Sequence, residues 1–297
     1  MAATRKTLSN YAQLMRISNL PTCLANVLTG TAIGMQFGQA TFAKVAALTI
    51  AVCCYYCGGM ILNDLCDLKY DSKYRQNRPI ASGAISVGFA LAITIVLFFS
   101  ATFIVTAIAQ HALLYACALL ACIILYDILH KKFPVSIVFM GGCRAMVYIT
   151  VAVAVAEPSE SAAAIKMCLP FAIILALYTI GITVIARMEN QERLDWRKWL
   201  SIAIPLSVFG ILFFVRPSVP FNTVLACIIF VFWMYLACLH IFTKPPRIKY
   251  AVLAWLSGMC LVDMWFLSVL LDNPTFATIA FVCFIITIEG HKQISGT

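Results

Sequence analysis

The sequence contains few charged residues, and acidic residues are the scarcest of them. Charged side chains make up 11% of the 297 residues, and 12 Asp and Glu stand against 21 Lys and Arg. Hydrophobic residues account for 63% of the chain, and its mean hydropathy is +0.95. A soluble globular domain needs a polar surface and does not have this composition. We therefore expect residues 1–297 to form a single integral-membrane domain without a separate soluble module.

The chain also lacks the alternation of apolar and polar residues that is typical of a transmembrane β-barrel. Long apolar segments take its place, and segments of about twenty apolar residues predict membrane-spanning α-helices. These segments lie at approximately 17–39, 43–62, 85–108, 110–128, 135–156, 166–187, 199–215, 221–242, 250–271 and 275–290. The expected fold class is therefore an all-α, multispanning membrane helical bundle.

Neither a cysteine-based metal site nor a nucleic-acid-binding surface is indicated. Most of the 13 cysteines lie in apolar segments, where cysteine packs as a small apolar residue. The run Cys53-Cys54-x-x-Cys57 lacks a second cysteine pair or histidines at zinc spacing. The net charge of +9 comes from basic residues divided among short loops, not from a basic helix with interleaved aromatics, so no nucleic-acid partner is expected.

The distribution of the basic residues predicts how the chain is oriented in the membrane. When the segments cross in alternation, about 17 Lys and Arg fall on one side and about 3 on the other, with Arg144 inside a segment. Because basic loops stay in the cytoplasm, we expect the N-terminus and the loops after even-numbered segments to be cytoplasmic. In a bacterium this would be the plasma or inner membrane. The polar clusters lie on the same side, which predicts a site that opens to the cytoplasm.

The most informative polar cluster is Asn63-Asp64-Leu65-Cys66-Asp67-Leu68-Lys69-Tyr70-Asp71, where a long apolar segment ends. On a helix, Asp64, Asp67 and Asp71 stand at i, i+3 and i+7, and Asn63 precedes Asp67 by four residues. One helix face therefore presents several oxygen atoms, the ligand type that Mg²⁺ prefers. Since three like charges on one face repel one another, the pattern favours a bound cation.

Basic residues follow this cluster directly and suggest what the cation binds. The next residues include Lys73, Arg75 and Arg78. Metal-binding carboxylates beside Lys and Arg suit a diphosphate, whose oxygens the metal and the basic side chains share. The alternative interpretation is a solvated loop whose basic residues only set the topology.

The pattern Asn63-Asp64-x-x-Asp67-x-x-x-Asp71, followed by Asn77-Arg78-Pro79-Ile80-x-Ser82-Gly83, resembles the first aspartate-rich motif of the UbiA superfamily of intramembrane aromatic prenyltransferases. Three further pieces agree with the family in order along the first two-thirds of the chain. They are Leu14–Pro21, Tyr126–Lys132 and Gly141–Arg144.

The resemblance implies Mg²⁺-dependent transfer of an isoprenyl group from a polyprenyl diphosphate to a small aromatic acceptor within the membrane, with release of pyrophosphate. It also implies a central cavity among nine helices, whereas the charge distribution favours ten, so we expect nine to ten. Asp64, Asp67 and Asp71 are the implied catalytic residues, and with Asn63, Glu189 and Glu192 they are the implied Mg²⁺ ligands. Arg16, Asn19, Arg78, Tyr126 and Lys131 are the implied diphosphate-binding residues, and Arg144 is a candidate contact of the acceptor.

The second acidic motif departs from the family pattern. Glu189, Glu192 and Asp195 stand where the family has aspartates, and two arginines interrupt them. They either bind a second Mg²⁺ or pair with the arginines. Two alternatives therefore stay open: a non-catalytic or transport-type member that binds an isoprenoid or similar lipid, and an isoprenoid cyclase. The sequence gives neither the acceptor, nor the prenyl chain length, nor the oligomeric state.

Overall fold

The structure is a computed structural model, and it describes residues 9–189, 199, 203, 206–209 and 220–293. The long elements in this part of the chain are α-helices joined by short turns. They are α1 (Leu20–Gly34), α2 (Phe42–Tyr74), α3 (Val87–Ile108), α4 (Leu113–Leu129), α5 (Ile137–Val155), α6 (Ser161–Ala186), α7 (Phe221–Leu239), α8 (Ile248–Leu270) and α9 (Thr275–Gln293). Each agrees within a few residues with a predicted apolar segment, except that α2 continues well past residue 62.

Eight helices among the described residues are long and apolar enough to cross a membrane, which confirms the all-α, multispanning fold of an integral membrane protein. The exception is α1, which has only 15 residues and is buried along almost its whole length. The predicted segment 199–215 lies mostly outside the described residues. The total of nine to ten helices therefore stays a prediction.

Helix α2 determines where the aspartates lie. It begins at the capping residue Thr41, whose side chain accepts a hydrogen bond from the amide of Lys44. It then runs for 33 residues, or about 50 Å at 1.5 Å per residue. Since a bilayer's hydrocarbon core is about 30 Å thick, this helix is long enough to cross it and extend beyond. The aspartates occupy the last turns of α2, where a helix of this length reaches the edge of the membrane.

Helix α1 lies at the centre of the bundle, packed against α2, α5, α8 and α9. It packs tightly on α5, where Gly30 and Gly34 of α1, and Gly38 four residues further on, stand at four-residue spacing against residues 148–156. A Cβ atom at Gly34 would lie 2.6 Å from the carbonyl oxygen of Ala152. Small residues at this spacing let two membrane helices approach closely, and packing is what holds such helices together in lipid.

This close approach makes Gly34 intolerant of even one methyl group. We expect Gly34→Ala to lower the free energy of unfolding by about 1–3 kcal/mol, because the new Cβ collides with backbone atoms that cannot rotate away. Gly88→Ala in α3 is the matched control, since a Cβ there meets nothing within 4 Å. Thermal unfolding of the purified variants in detergent checks this, and equal midpoints for the two variants would contradict the packing described.

Candidate active site

Arg78 joins two of the three aspartates of α2. Its Nη1 atom lies 2.8 Å from Oδ1 of Asp64 and 2.8 Å from Oδ2 of Asp71. Both carboxylates are buried, with 7% and 2% of their side chains exposed, and Arg78 is 13% exposed. A loop returns Arg78 to the helix from which the carboxylates project, with Gly83 in the left-handed conformation that favours glycine. The second oxygen of Asp71, Oδ1, is buried without a hydrogen-bond partner.

Asp67 has a different set of partners, which come from the turn after α4. Its Oδ1 atom lies 2.6 Å from Nζ of Lys131 and 3.1 Å from Nε2 of His130. The other ring nitrogen of His130, Nδ1, lies 3.0 Å from the backbone carbonyl oxygen of Asp127. Burial disfavours the charged imidazole, but the hydrogen bond to Asp67 and the charge of that carboxylate outweigh it, so the pKa of His130 is raised. The ring of Tyr126 stacks on His130 with centroids 5.4 Å apart.

Asn63 has a partner that none of the three aspartates shares. Its Nδ2 atom donates a hydrogen bond to Oδ1 of Asp127, a buried residue at the end of α4, over 3.0 Å. The predicted ligand set is thus divided among Arg78, the Lys131–His130 pair and Asp127. No three His, Cys, Asp or Glu side chains in the described part of the chain are arranged to hold a metal ion by themselves.

The segment before α1 carries two of the predicted diphosphate-binding residues, Arg16 and Asn19, and their side chains contact different groups. Arg16 has φ of 46°, an uncommon conformation for a long side chain, and its Nη2 atom lies 3.5 Å from Oδ1 of Asp64. Asn19 is buried and points elsewhere. Its Nδ2 donates to the hydroxyl of Tyr56 over 3.1 Å, and its Oδ1 lies 2.6 Å from Nε2 of His291 in α9. Asn19 therefore links three elements beside the site, whereas Arg16 reaches the carboxylates.

The second acidic motif is described only at its start. Glu189 is exposed just after α6, and Glu192 and Asp195 lie outside the described residues. The guanidinium of Arg187 donates hydrogen bonds to the carbonyl oxygens of Pro134 and His130, at 2.9 and 3.2 Å, and to the hydroxyl of Ser136. Arg187 thus braces the turn that carries His130 and Lys131, a role that its position in the sequence did not indicate.

An apolar cavity lies beside the aspartate cluster, between α1, α2, α4 and α5. Tyr126 and Asp127 line it together with Tyr56 and Arg144, and the remaining lining is largely apolar. Arg144 donates a hydrogen bond from Nη1 to Oδ1 of Asn26 over 2.8 Å and lies 5.8 Å from the ring of Tyr56. Its guanidinium is therefore a polar group in the wall of an otherwise apolar space.

The side chains fit a magnesium ion that arrives together with a phosphorylated ligand. Mg²⁺ is commonly held by one or two carboxylates plus substrate phosphate oxygens rather than by an all-protein cage. Asp64 and Asp71 provide this arrangement, because their oxygens converge on a single nitrogen of Arg78 and Asp71 Oδ1 is left without a partner. Asp67 lies on the same helix and is already paired with the ammonium group of Lys131.

Sequence reasoning missed two site residues, His130 and Asp127. His130 is one of four histidines that are scattered along the sequence, and Asp127 closes the fourth predicted segment without an assigned role. A signal was present, because both belong to the Tyr126–Lys132 piece that carried part of the family resemblance. Asp127 and His130 are three residues apart at the end of α4, which lies beside the aspartates. Residues at this spacing lie on the same side of a helix, and Lys131 follows directly.

The fold and the site together define a multispanning membrane protein with a buried carboxylate and cation cluster at one end of its helices and an apolar cavity beside that cluster. The sequence model of the UbiA prenyltransferase family matches residues 23–257, and the chain belongs to this family. The resemblance noted from the aspartate motif is therefore confirmed, over more of the chain than the motifs alone covered.

Individual relatives agree with this assignment. The digeranylgeranylglyceryl phosphate synthase of Sulfurisphaera tokodaii is 30% identical over 116 residues, 39% of this chain and 41% of that protein. The synthase of the same name from Saccharolobus solfataricus is 34% identical over 97 residues, 31% and 32% of the two chains. The matched regions thus span less than half of either relative. A UbiA homologue from Aeropyrum pernix K1, solved in its apo form, has a TM-score of 0.69 at 16% identity, over 82% of this chain and 94% of that one, which shows a shared fold.

The site makes a prediction about stability that does not depend on catalysis. We expect Arg78→Gln to lower the free energy of unfolding by about 3 kcal/mol in EDTA, because two buried carboxylates lose their shared cation. Added Mg²⁺ should recover part of this loss by replacing the positive charge. Arg75→Gln is the control, since Arg75 forms no ion pair among the described residues. Thermal unfolding with and without Mg²⁺ checks this, and the same response in both variants would contradict it.

Proposed function

We propose that this protein transfers an isoprenyl group from a polyprenyl diphosphate to a small acceptor inside the membrane, with Mg²⁺ as cofactor and pyrophosphate as the second product. The observation that carries the proposal is the carboxylate and cation cluster of Asp64, Asp67, Asp71, Arg78 and Lys131, which lies beside an apolar cavity. The cluster suits a metal-bound diphosphate, and the cavity and the surrounding lipid suit an isoprenyl tail. Family membership supports the same reaction class.

In this proposal the diphosphate enters between the two groups of ion pairs. Asp64 and Asp71 would hold Mg²⁺, and Arg78 and Arg16, no longer paired with these carboxylates, would bind phosphate oxygens. Mg²⁺, when bound, withdraws charge from the leaving pyrophosphate as the allylic carbon–oxygen bond breaks. Arg78 and Lys131 stabilise the same developing charge from the protein side. Asn63, held by Asp127, and Asn19, held by Tyr56 and His291, keep neighbouring elements in place around it.

The apolar wall of the cavity protects the reaction intermediate. The allylic cation left behind must be protected from water, and the apolar lining together with Tyr56 and Tyr126 excludes water from the cavity. Aromatic faces also stabilise a positive charge that lies over them. The acceptor then bonds to the allylic carbon and releases a proton. We place the site on the cytoplasmic side, because the basic residues of the sequence concentrate at that end of the helices.

The polar group that we propose for binding the acceptor is Arg144, at the cavity wall. An aromatic acceptor follows from the family resemblance, whereas the relatives are named for a glyceryl phosphate carrying two geranylgeranyl groups. That name motivates a second acceptor for testing, a glyceryl phosphate that carries one geranylgeranyl group. Glu189 and Glu192 are retained as candidate ligands of a second Mg²⁺.

Kinetics of pyrophosphate release test the proposal. With geranylgeranyl diphosphate and an acceptor panel, we expect release that stops in EDTA and falls about 10²–10³-fold in Asp71→Asn, because a ligand of the catalytic cation loses its charge. Glu157→Gln, at an exposed carboxylate of a distant loop, should leave the rate unchanged.

The same assay separates the alternatives. Binding of the diphosphate without release of pyrophosphate would show a non-catalytic family member. Release without any acceptor, with a cyclic hydrocarbon as product, would show a cyclase. An Asp71→Asn protein with wild-type kinetics would contradict the assigned site.

A further inference from the structure

A second buried acidic centre lies inside the bundle, away from the three aspartates of α2. Asp263 of α8 is fully buried, and side chains of two other helices hold its carboxylate. From α1, Asn26 Nδ2 donates to Oδ2 over 2.7 Å and the hydroxyl of Thr29 donates to Oδ1 over 2.6 Å. From α5, the hydroxyl of Tyr148 donates to Oδ1 over 2.5 Å. Asp263 thus joins α8 to α1 and α5 through hydrogen bonds.

The network reaches the cavity through one amide. Asn26 donates to Asp263 with its nitrogen and accepts from Arg144 with its oxygen, over 2.8 Å. The orientation of this amide is determined by chemistry, since the reverse would place oxygen against carboxylate and NH₂ against guanidinium. Asn26 therefore connects the carboxylate of Asp263 to the guanidinium of Arg144 in a relay of two hydrogen bonds. The spacing in sequence makes this possible, because Asn26 and Thr29 share one face of α1, and Arg144 and Tyr148 share one face of α5.

This relay has a consequence for Arg144. An arginine inside a membrane segment needs a compensating charge or a ligand. No carboxylate in the described part of the chain forms a direct ion pair with Arg144, and its counter-charge stands one residue away. Because Asn26 accepts one of the five guanidinium N–H groups, the fork of donors that suits a carboxylate or phosphate is not closed by a protein anion.

We propose that Asn26 and Asp263 are positioning residues, which hold Arg144 at the cavity wall so that it binds an anionic oxygen group of the acceptor. The inference rests on the prenyl transfer proposed above for the adjoining site. A carboxylate and a phosphate have the same recognition chemistry here, and one fits an aromatic acid while the other fits a glyceryl phosphate lipid. A direct ion pair in place of the relay would hold the helices equally well but would occupy the guanidinium.

Exchanging the two residues tests this difference. The double variant Asn26→Asp with Asp263→Asn keeps the composition, the side-chain volumes and the net charge, but it places the carboxylate directly against Arg144. We expect it to unfold at about the wild-type temperature, yet to bind the acceptor about tenfold more weakly. Asp263→Asn alone should also weaken binding about tenfold, with lower stability. A network that serves only to join helices predicts wild-type binding in the exchanged protein.

Binding is measured by equilibrium dialysis of the purified protein with two radiolabelled probes, 4-hydroxybenzoate and a glyceryl phosphate carrying one geranylgeranyl group. The probe that binds distinguishes the two sources of the anion. Where turnover occurs, the KM of that probe should rise about tenfold, whereas kcat and the KM of geranylgeranyl diphosphate stay within about twofold. Thr223→Val is the matched control, because it removes another buried interhelical hydrogen bond, to the carbonyl oxygen of Ser268, and should affect stability alone.

The outcomes separate this inference from the proposed function. Probe binding that depends on Asp263 in a protein without turnover would support the relay and overturn the transfer reaction. Wild-type binding in the exchanged variant, or no binding of either probe to the wild-type protein, would overturn the relay. If the exchanged variant does not fold, Asn26→Ala decides instead, since it removes the amide and leaves both charges; unchanged binding in that variant would overturn the inference.

Discussion

The structure depends on the neutralisation of carboxylates that are buried at the end of a membrane helix. Each buried carboxylate costs several kcal/mol unless a partner compensates for its lost hydration. Arg78 supplies this compensation for Asp64 and Asp71, and Lys131 with His130 supplies it for Asp67. These cations come from loops, whereas the carboxylates come from a single helix. The loops are thereby fixed around a charged centre, which suits a ligand that is itself charged.

The bundle contains two acidic centres, and their carboxylates have different kinds of partner. The aspartates of α2 are paired with basic side chains. A metal ion can replace these side chains as the partner of the carboxylates, and a diphosphate can replace the carboxylates as the partner of the basic side chains. Asp263 is held by neutral donors from three residues, and it acts on Arg144 through an amide. The apolar cavity lies between these two acidic centres, and both Asp127 and Arg144 line it. This arrangement would place a reacting carbon away from water, with charged groups at its borders.

Much of the fold could be predicted from the sequence, because membrane helices are set by length and hydrophobicity alone. The end of α2 was harder, since hydropathy falls at Asn63 although the helix continues to Tyr74. Periodicity placed Asp64, Asp67 and Asp71 on one face, but it could not choose their partners. Asn63 turned to Asp127 and Asn19 turned to His291, contacts across 64 and 272 residues of chain that depend on how the helices pack. Sequence periodicity predicts which residues share a helix face, whereas the packing of the helices determines which residues that face contacts.

The central claim is that the α2 aspartates bind a prenyl diphosphate through a divalent cation. Isothermal titration calorimetry of the purified protein with a non-reactive thio analogue of geranylgeranyl diphosphate tests it most directly. The account predicts measurable heat of binding in MgCl₂ and an affinity at least about tenfold lower in EDTA, because the phosphate oxygens then face three carboxylates without the metal. Equal affinity in the two buffers, or no binding in either, would contradict it.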